Sequence, residues 1–270
     1  MIKIQPSVVT VFEGRSWLYN GYRLFKKEPS VWLVSLLAYW TAMFLFGLIP
    51  ILGVILSLIL SPGLAFGFIS LGSALDNRRP TAPRLIISGF TGSKKSELLI
   101  LGFFYLLFLA LLVLLTSLIN EKSIIDLLYI TEDSIQSSED NPQNKVSVGG
   151  LLISVLLYVP VQMLFWFAPQ LVVWGGLRPL KAMFYSFFAV LLNWKGFLLY
   201  LFTWAIVLLF SSIAITICIS VFKLNQTALI LVLFPFSFVI MAIAQGSYYE
   251  ITKTIFPDLL KKNITSINLR

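Results

Sequence analysis

Residues 98–119 read LLILGFFYLLFLALLVLLTSLI, an apolar run that contains no charged side chain. The hydrocarbon core of a bilayer is about 30 Å thick, and a helix needs about 20 apolar residues to cross it. This segment meets that requirement and begins just after two basic residues, Lys94 and Lys95. It therefore predicts a transmembrane helix.

The same kind of segment recurs along the chain. None of these segments contains Asp, Glu, Lys or Arg, so each can enter hydrocarbon without carrying an ionisable group into it. The sequence thus predicts an all-α membrane protein with six transmembrane helices, at residues 30–49, 51–75, 98–119, 148–174, 196–221 and 227–249.

The composition excludes several kinds of activity. The 270 residues are 58% apolar and 12% charged, against about 25% charged residues in soluble domains. There is no His and only one Cys, Cys218, so an intrachain disulfide and most zinc, haem and iron–sulfur sites are excluded. The sequence lacks the residues for proteolysis by a Ser/His pair or by paired intramembrane carboxylates, and it contains no P-loop motif. We expect no enzyme activity, no cofactor and no metal.

The basic residues predict the orientation. With the N-terminus in the cytoplasm, all but three of the 20 Lys and Arg residues lie on the cytoplasmic side, the three being Lys122, Lys145 and Lys223. Cytoplasmic loops carry such an excess of Lys and Arg. An even number of spans then puts the C-terminus in the cytoplasm too. Because these cations fix topology and meet anionic headgroups, the basic net charge requires no nucleic-acid partner.

The order of segments predicts how the chain is divided into regions. We expect an amphipathic cytoplasmic segment at 1–29, a membrane domain at 30–249 with an external acidic loop at about 120–147, and a basic cytoplasmic tail at 250–270. Amphipathic stretches at 17–27, 85–95 and 183–195 each precede a pair of spans. This pattern predicts three helical hairpins, each preceded by a short interfacial helix. The alternative is that these stretches are ordinary juxtamembrane pieces without a repeat.

One stretch of the chain resembles the sequences of a known family. It covers residues 165–204 and reads FWFAPQLVVWGGLRPLKAMFYSFFAVLLNWKGFLLYLFTW. Its Ala-Pro, Lys-Ala, Ser-Phe and Asn-Trp pairs and its Phe-Leu-x-Tyr run resemble those of a family of uncharacterised proteobacterial inner-membrane proteins. The resemblance implies a multi-pass protein of a bacterial inner membrane and no known activity. More distantly, the three-hairpin plan is similar to the membrane domains of some glycerophosphodiesterases, although the phosphodiesterase domain itself is absent from this sequence.

Strongly polar side chains within the spans mark a candidate groove. Gln162 and Gln170 share the fourth span with Pro160 and Pro169, and Gln245 lies in the sixth. Eight residues of helix place the two fourth-span glutamines about 80° apart, so both could face one polar seam. The prolines predict a kink or break, with both glutamines turned into the bundle. The alternative is plain interhelical hydrogen bonding, worth about 0.6 kcal/mol per contact.

A second set of residues lies at the predicted cytoplasmic ends of the spans. The candidate headgroup contacts are Lys94, Lys95, Lys181, Asn193, Trp194 and Lys195. These residues lead to our first hypothesis, a non-enzymatic protein that engages membrane lipids or a membrane partner in envelope maintenance. The alternative is a passive transporter, channel or lipid scramblase that uses the groove around the fourth span. A membrane-protein partner or a second copy of the chain is expected besides lipids.

Overall fold

The computed structural model describes residues 4–120, 148–223 and 225–260. Within these ranges the chain is helical and forms no strand, which confirms the all-α prediction. The predicted acidic loop lies outside the described residues from 121 onward, as does the last part of the predicted tail, 261–270.

The helices are named in chain order. They are α1 (Glu13–Lys27), α2 (Pro29–Gly47), α3 (Leu52–Asp76), a 3₁₀ helix (Pro83–Ile87), α4 (Ser88–Thr91), α5 (Lys95–Asn120), α6 (Val148–Phe165), α7 (Ala168–Val173), α8 (Pro179–Leu192), α9 (Trp194–Phe222) and α10 (Gln226–Ile255). Among the described residues, six helical segments are long and apolar enough to cross a membrane, the fourth being α6 and α7 together. The prediction of six spans is confirmed by length and composition.

The buried core lies at one end of the bundle. We call this end the base; it carries α1, α8 and the C-terminal ends of α3 and α10, and the opposite half of the long helices is the far half. Most of the residues of α3 from Pro62 to Leu75 are buried. In the described residues, α9 has no buried residue beyond Tyr200 and α10 has none before Ala242. The far half therefore exposes apolar side chains, and the base holds the molecule together.

Helix α1 is built into the base. Its apolar face contains Trp17, which is fully buried, and Nε1 of Trp17 donates a hydrogen bond to Oγ1 of Thr254 in α10 (2.8 Å). Two glycines on the same face allow close backbone approach: a Cβ on Gly14 would lie 2.2 Å from the carbonyl oxygen of Gly196 in α9, and one on Gly21 would lie 2.5 Å from the amide nitrogen of Ser247 in α10. The apolar face of α1 is thus covered by protein and not left free for lipid.

The last helix continues beyond its predicted end. We expected the sixth span to end at Tyr249 and a tail to begin at Glu250, but α10 continues to Ile255. Ile251 and Ile255 are fully buried, and Phe256, just after the helix, is nearly so. The helix ends where Pro257 follows Phe256, because a proline disfavours helical backbone in the residue before it. Packing at the base, which hydropathy does not report, keeps this polar stretch helical.

Candidate functional site

The fourth span is interrupted between α6 and α7. Pro169 has no N–H group, and its ring clashes with the carbonyl of the residue four positions earlier, so a helix cannot continue through it undisturbed. The interruption falls at Trp166 and Phe167, just before Pro169 enters the first turn of α7. Pro160 lies inside α6 without ending it. The predicted break is therefore present at the second proline.

A hydroxyl group from α8 repairs the interruption. In a continuous helix the N–H of Phe167 would donate to the carbonyl of Met163. Instead the N–H of Phe167 donates to Oγ of Ser186 (2.8 Å), and that hydroxyl donates to the carbonyl oxygen of Met163 (2.7 Å). Ser186 is fully buried. One serine thus occupies the place of a lost helical hydrogen bond, as is needed where water is absent.

Side chains of α10 bind the other side of the interruption. The hydroxyl of Tyr248 donates to the carbonyl oxygen of Trp166, and Nε2 of Gln170 donates to Oγ1 of Thr252 (3.2 Å). Backbone groups at the interruption are therefore held by α8 on one side and by α10 on the other.

A cavity of about 300 Å³ lies beside this interruption. We call it the central cavity. Helices α3, α5, α6, α7, α9 and α10 all contribute to its wall, which contains no charged side chain. Its hydroxyl and amide groups come from Ser61, Tyr105, Gln162, Tyr200, Gln245 and Tyr248. The wall can donate and accept hydrogen bonds without a net charge.

Three of the four predicted groove residues line the central cavity. Gln162, Pro169 and Gln245 form part of its wall. Gln170 does not: it is fully buried and faces Thr252. The seam expected for Gln162 and Gln170 assumed a continuous helix, but the fourth span is interrupted between them at Trp166 and Phe167, and only Gln162 lines the cavity. Gln170 is buried within the bundle, whereas Gln162 is half-buried and donates to the hydroxyl of Tyr158 on the same helix.

The central cavity lies where the packed base meets the far half. Tyr200 and Ala244 in its wall come from the levels of α9 and α10 at which burial begins. Beyond this level both helices expose large apolar residues, for example Phe202 at 62% and Phe234 at 57% of their surface.

The lysines among the predicted headgroup contacts all lie at the base and differ in their partners. Lys94 forms an ion pair with Glu97 (2.7 Å) and Lys95 is exposed. Lys181 lies 5.9 Å from the ring centre of Tyr185, and Lys195 lies 5.7 Å from that of Trp194, which is 51% exposed. Lys95, Lys181, Trp194 and Lys195 are thus accessible at the surface.

Asn193 has a different position. It is nearly fully buried, its Oδ1 accepts from the N–H of Val9 (2.8 Å), and its Nδ2 donates to the carbonyl oxygens of Ser7 (3.1 Å) and Ala189 (2.9 Å). These bonds hold the N-terminal segment across the start of α9. The structure therefore gives Asn193 a positioning contact within the chain, and its headgroup role stays a prediction.

Sequence reasoning missed a charged cluster at the base. Oδ2 of Asp76, the last residue of α3, lies 2.6 Å from Nζ of Lys253 and accepts a hydrogen bond from the hydroxyl of Tyr249 (2.9 Å). Nζ of Lys27 in α1 lies 3.6 Å from Oδ1 of the same carboxylate. The three lysine and aspartate positions are far apart in sequence, so only the position of each at a helix end could have suggested the cluster.

Comparison with known proteins yields one relative to report. The chain is 28% identical over 253 residues to a protein of Burkholderia thailandensis described as a probable inner membrane protein, and the match covers 92% of each chain. No family model matches the chain. No solved structure matches it either. Together with the six apolar helices, the relative supports a multi-pass protein of the inner membrane.

Proposed function

We propose that this chain is a non-enzymatic multi-pass inner-membrane protein that binds a membrane lipid in the central cavity, with a role in envelope maintenance. The observation that carries the proposal is a largely apolar cavity with uncharged hydroxyl and amide groups in its wall, at the level where the burial of α9 and α10 ends. Polar groups in hydrocarbon are costly unless they are hydrogen-bonded, so such a wall favours a ligand with polar groups of its own.

The size and chemistry of the central cavity fit part of a lipid. About 300 Å³ is the lower end of the usual range of ligand pockets, roughly 300–1,000 Å³. Amide groups such as those of Gln162 and Gln245 suit ester carbonyls and hydroxyls, and they offer no countercharge for an ion. The ligand part that fits is the glycerol and ester region of a lipid, with its acyl chains along the far half.

Helix α8 supports an interfacial role at the base. It has 14 residues, too few to cross a bilayer, and one side of it, including Ala182 and Ser186, is buried. The other side is apolar and exposed, with Phe184 at 60%, and Lys181 lies near its start. A helix of this kind favours the membrane interface, with its apolar side in the acyl boundary. The corresponding role for α1 lacks such support, because α9 and α10 cover its apolar face.

A bulky side chain that fills the central cavity should displace a bound lipid. Ala244→Phe places an aromatic ring in the wall and should reduce the lipid retained after purification at least about tenfold, equivalent to about 1.4 kcal/mol of binding. Native mass spectrometry of protein extracted from a bacterial membrane in mild detergent measures the retained lipid. Gln245→Leu keeps the volume but removes a polar group, and it should lower retention in the same direction.

Ala214→Phe is the matched control, because Ala214 is exposed on the far half of α9. It should retain lipid as the wild type does. Wild-type retention in Ala244→Phe and Gln245→Leu, in protein that unfolds at the wild-type temperature, would refute lipid binding in the cavity.

A lipid scramblase is the second candidate. The observation that favours it is that the far halves of α9 and α10 are exposed beyond the central cavity, so a bound lipid would have a lateral path. Purified protein in vesicles should then move a fluorescent lipid between leaflets faster than empty vesicles do. A rate equal to that of empty vesicles would leave simple lipid binding as the function.

A further prediction concerns orientation. The N–H of Ser7 donates to the carbonyl oxygen of Ile255 (2.8 Å), so the segments at both ends of the described chain meet at the base. We expect reporters fused before Met1 and after Arg270 to be cytoplasmic, and one inserted beside Asn225 to be external, because Lys and Arg concentrate at the base. An external reporter after Arg270 would contradict this orientation.

We also propose that the chain lacks enzyme activity, which its histidine-free composition and uncharged cavity wall support. A membrane-protein partner or a second copy belongs to the same proposal, as does the distant likeness to the membrane domains of glycerophosphodiesterases. None of these is required by lipid binding in the central cavity.

A further inference from the structure

A second cavity opens at the base, apart from the central cavity. Its volume is about 600 Å³, and it lies between α1, the C-terminal end of α3 and the C-terminal end of α10. We call it the charged pocket. Its charged lining consists of Arg23, Lys26, Lys27, Asp76, Glu250 and Lys253.

The carboxylates of the charged pocket are already paired. Asp76 is bound by Lys253 (2.6 Å) and approached by Lys27 (3.6 Å), and Glu250 lies 3.7 Å from Lys253. Glu250 is buried beside Lys253. The two acidic side chains are thus balanced by two of the four basic ones.

The other two cations have no carboxylate partner among the described residues. Arg23 lies 6.0 Å from the ring centre of Tyr19, and Lys26 lies 5.3 Å from that of Tyr22. Both rings are exposed, Tyr19 at 62% and Tyr22 at 42%. The pocket therefore has an excess of two positive charges, held on one face of α1 beside an aromatic rim.

We propose that the charged pocket binds a phosphate-bearing anion. The guanidinium of Arg23 can bind two phosphate oxygens at once, and the ammonium of Lys26 supplies a second positive charge one turn along the helix. The phenol and amide groups of Tyr19, Tyr22 and Asn20 line the same space and can donate to the remaining oxygens. A phospholipid headgroup and a free phosphate compound share this chemistry. This site goes beyond the lipid cavity proposed above and does not depend on it.

The test measures binding of two probes to the delipidated full-length protein in detergent. One probe is inorganic phosphate, and the other is a short-chain phosphatidylglycerol below its micelle concentration. The double variant Arg23→Gln/Lys26→Gln should bind about 25-fold more weakly, since each basic residue near an anionic group is worth about fivefold in affinity. Glu250→Gln removes a negative charge from the pocket and should tighten binding about fivefold.

Arg84→Gln/Arg178→Gln is the matched control, because it removes the same charge from exposed positions outside the charged pocket. It should bind both probes as the wild type does. Binding of phosphatidylglycerol alone identifies a lipid headgroup as the ligand, and binding of both probes identifies a free phosphate compound. The proposal is overturned if neither probe binds, if the Arg23 and Lys26 variant binds normally, or if the control loses as much affinity. Lipid retention in the central cavity should be unchanged in the double variant, which separates the two sites.

Discussion

Replacing Trp17 by Ala should lower the free energy of unfolding by about 3–5 kcal/mol, the usual cost of removing a buried Trp side chain. Trp17 is completely buried within the protein. Its ring lies 5.4 Å from that of Phe197 and 6.0 Å from that of Tyr200 in α9, and its indole N–H binds Thr254 in α10. The loss would release α1 from both helices that it joins.

Equilibrium unfolding in detergent, followed by circular dichroism, measures this loss. Trp194→Ala is the matched control, because Trp194 is 51% exposed and its truncation should change stability by no more than about 0.5 kcal/mol. Thr254→Val removes the hydroxyl that accepts from Trp17 and donates to the carbonyl oxygen of Glu250, and it should cost about 1–3 kcal/mol. If Trp17→Ala were as stable as Trp194→Ala, α1 would not be part of the core of the base.

The membrane helices could be predicted from the sequence because hydropathy depends on local composition. Runs of about 20 apolar residues without charge gave all six spans within a few residues of their observed limits. The largest difference, at the end of α10, arises where buried partners decide the limit. Ile251 and Ile255 pack into the base, and no property of residues 250–255 alone reveals those partners.

The position of α1 could be predicted only in part. An amphipathic stretch at 17–27 was predicted from its pattern and lies within α1, but an apolar face is compatible with lipid and with protein alike. Gly14 and Gly21 on that face were the available signal, because small residues on an apolar face allow another helix to approach closely.

The residues of the candidate site could also be predicted only in part. Gln162, Pro169 and Gln245 were chosen as polar or helix-breaking residues within hydrocarbon, and they do meet at one cavity. Gln170 was placed with them by helical geometry, which holds only while the helix continues. The charged pocket was missed because its members, such as Lys27, Asp76 and Lys253, come together only through the packing of α1 against α10.

Ser186→Ala should cost about 2–4 kcal/mol of unfolding free energy, more than an ordinary buried serine. The hydroxyl both accepts from the N–H of Phe167 and donates to the carbonyl of Met163, so its removal leaves two backbone groups without partners. Each buried polar group left unsatisfied costs about 1–3 kcal/mol. Phe167 is fully buried, so water cannot readily replace the serine at its N–H.

The comparison with Ser212→Ala decides whether this cost comes from the interruption of the fourth span. Ser212 is exposed on α9, and its hydroxyl donates to the carbonyl of Leu209 within the same helix, so its loss should change stability by no more than about 0.5 kcal/mol. Pro169→Ala supplies an N–H group and allows α6 and α7 to join, which would let Phe167 donate directly to Met163. In that background Ser186→Ala should cost less than about 1 kcal/mol. Equal costs of Ser186→Ala with and without Pro169 would contradict the repair of the helix by this hydroxyl.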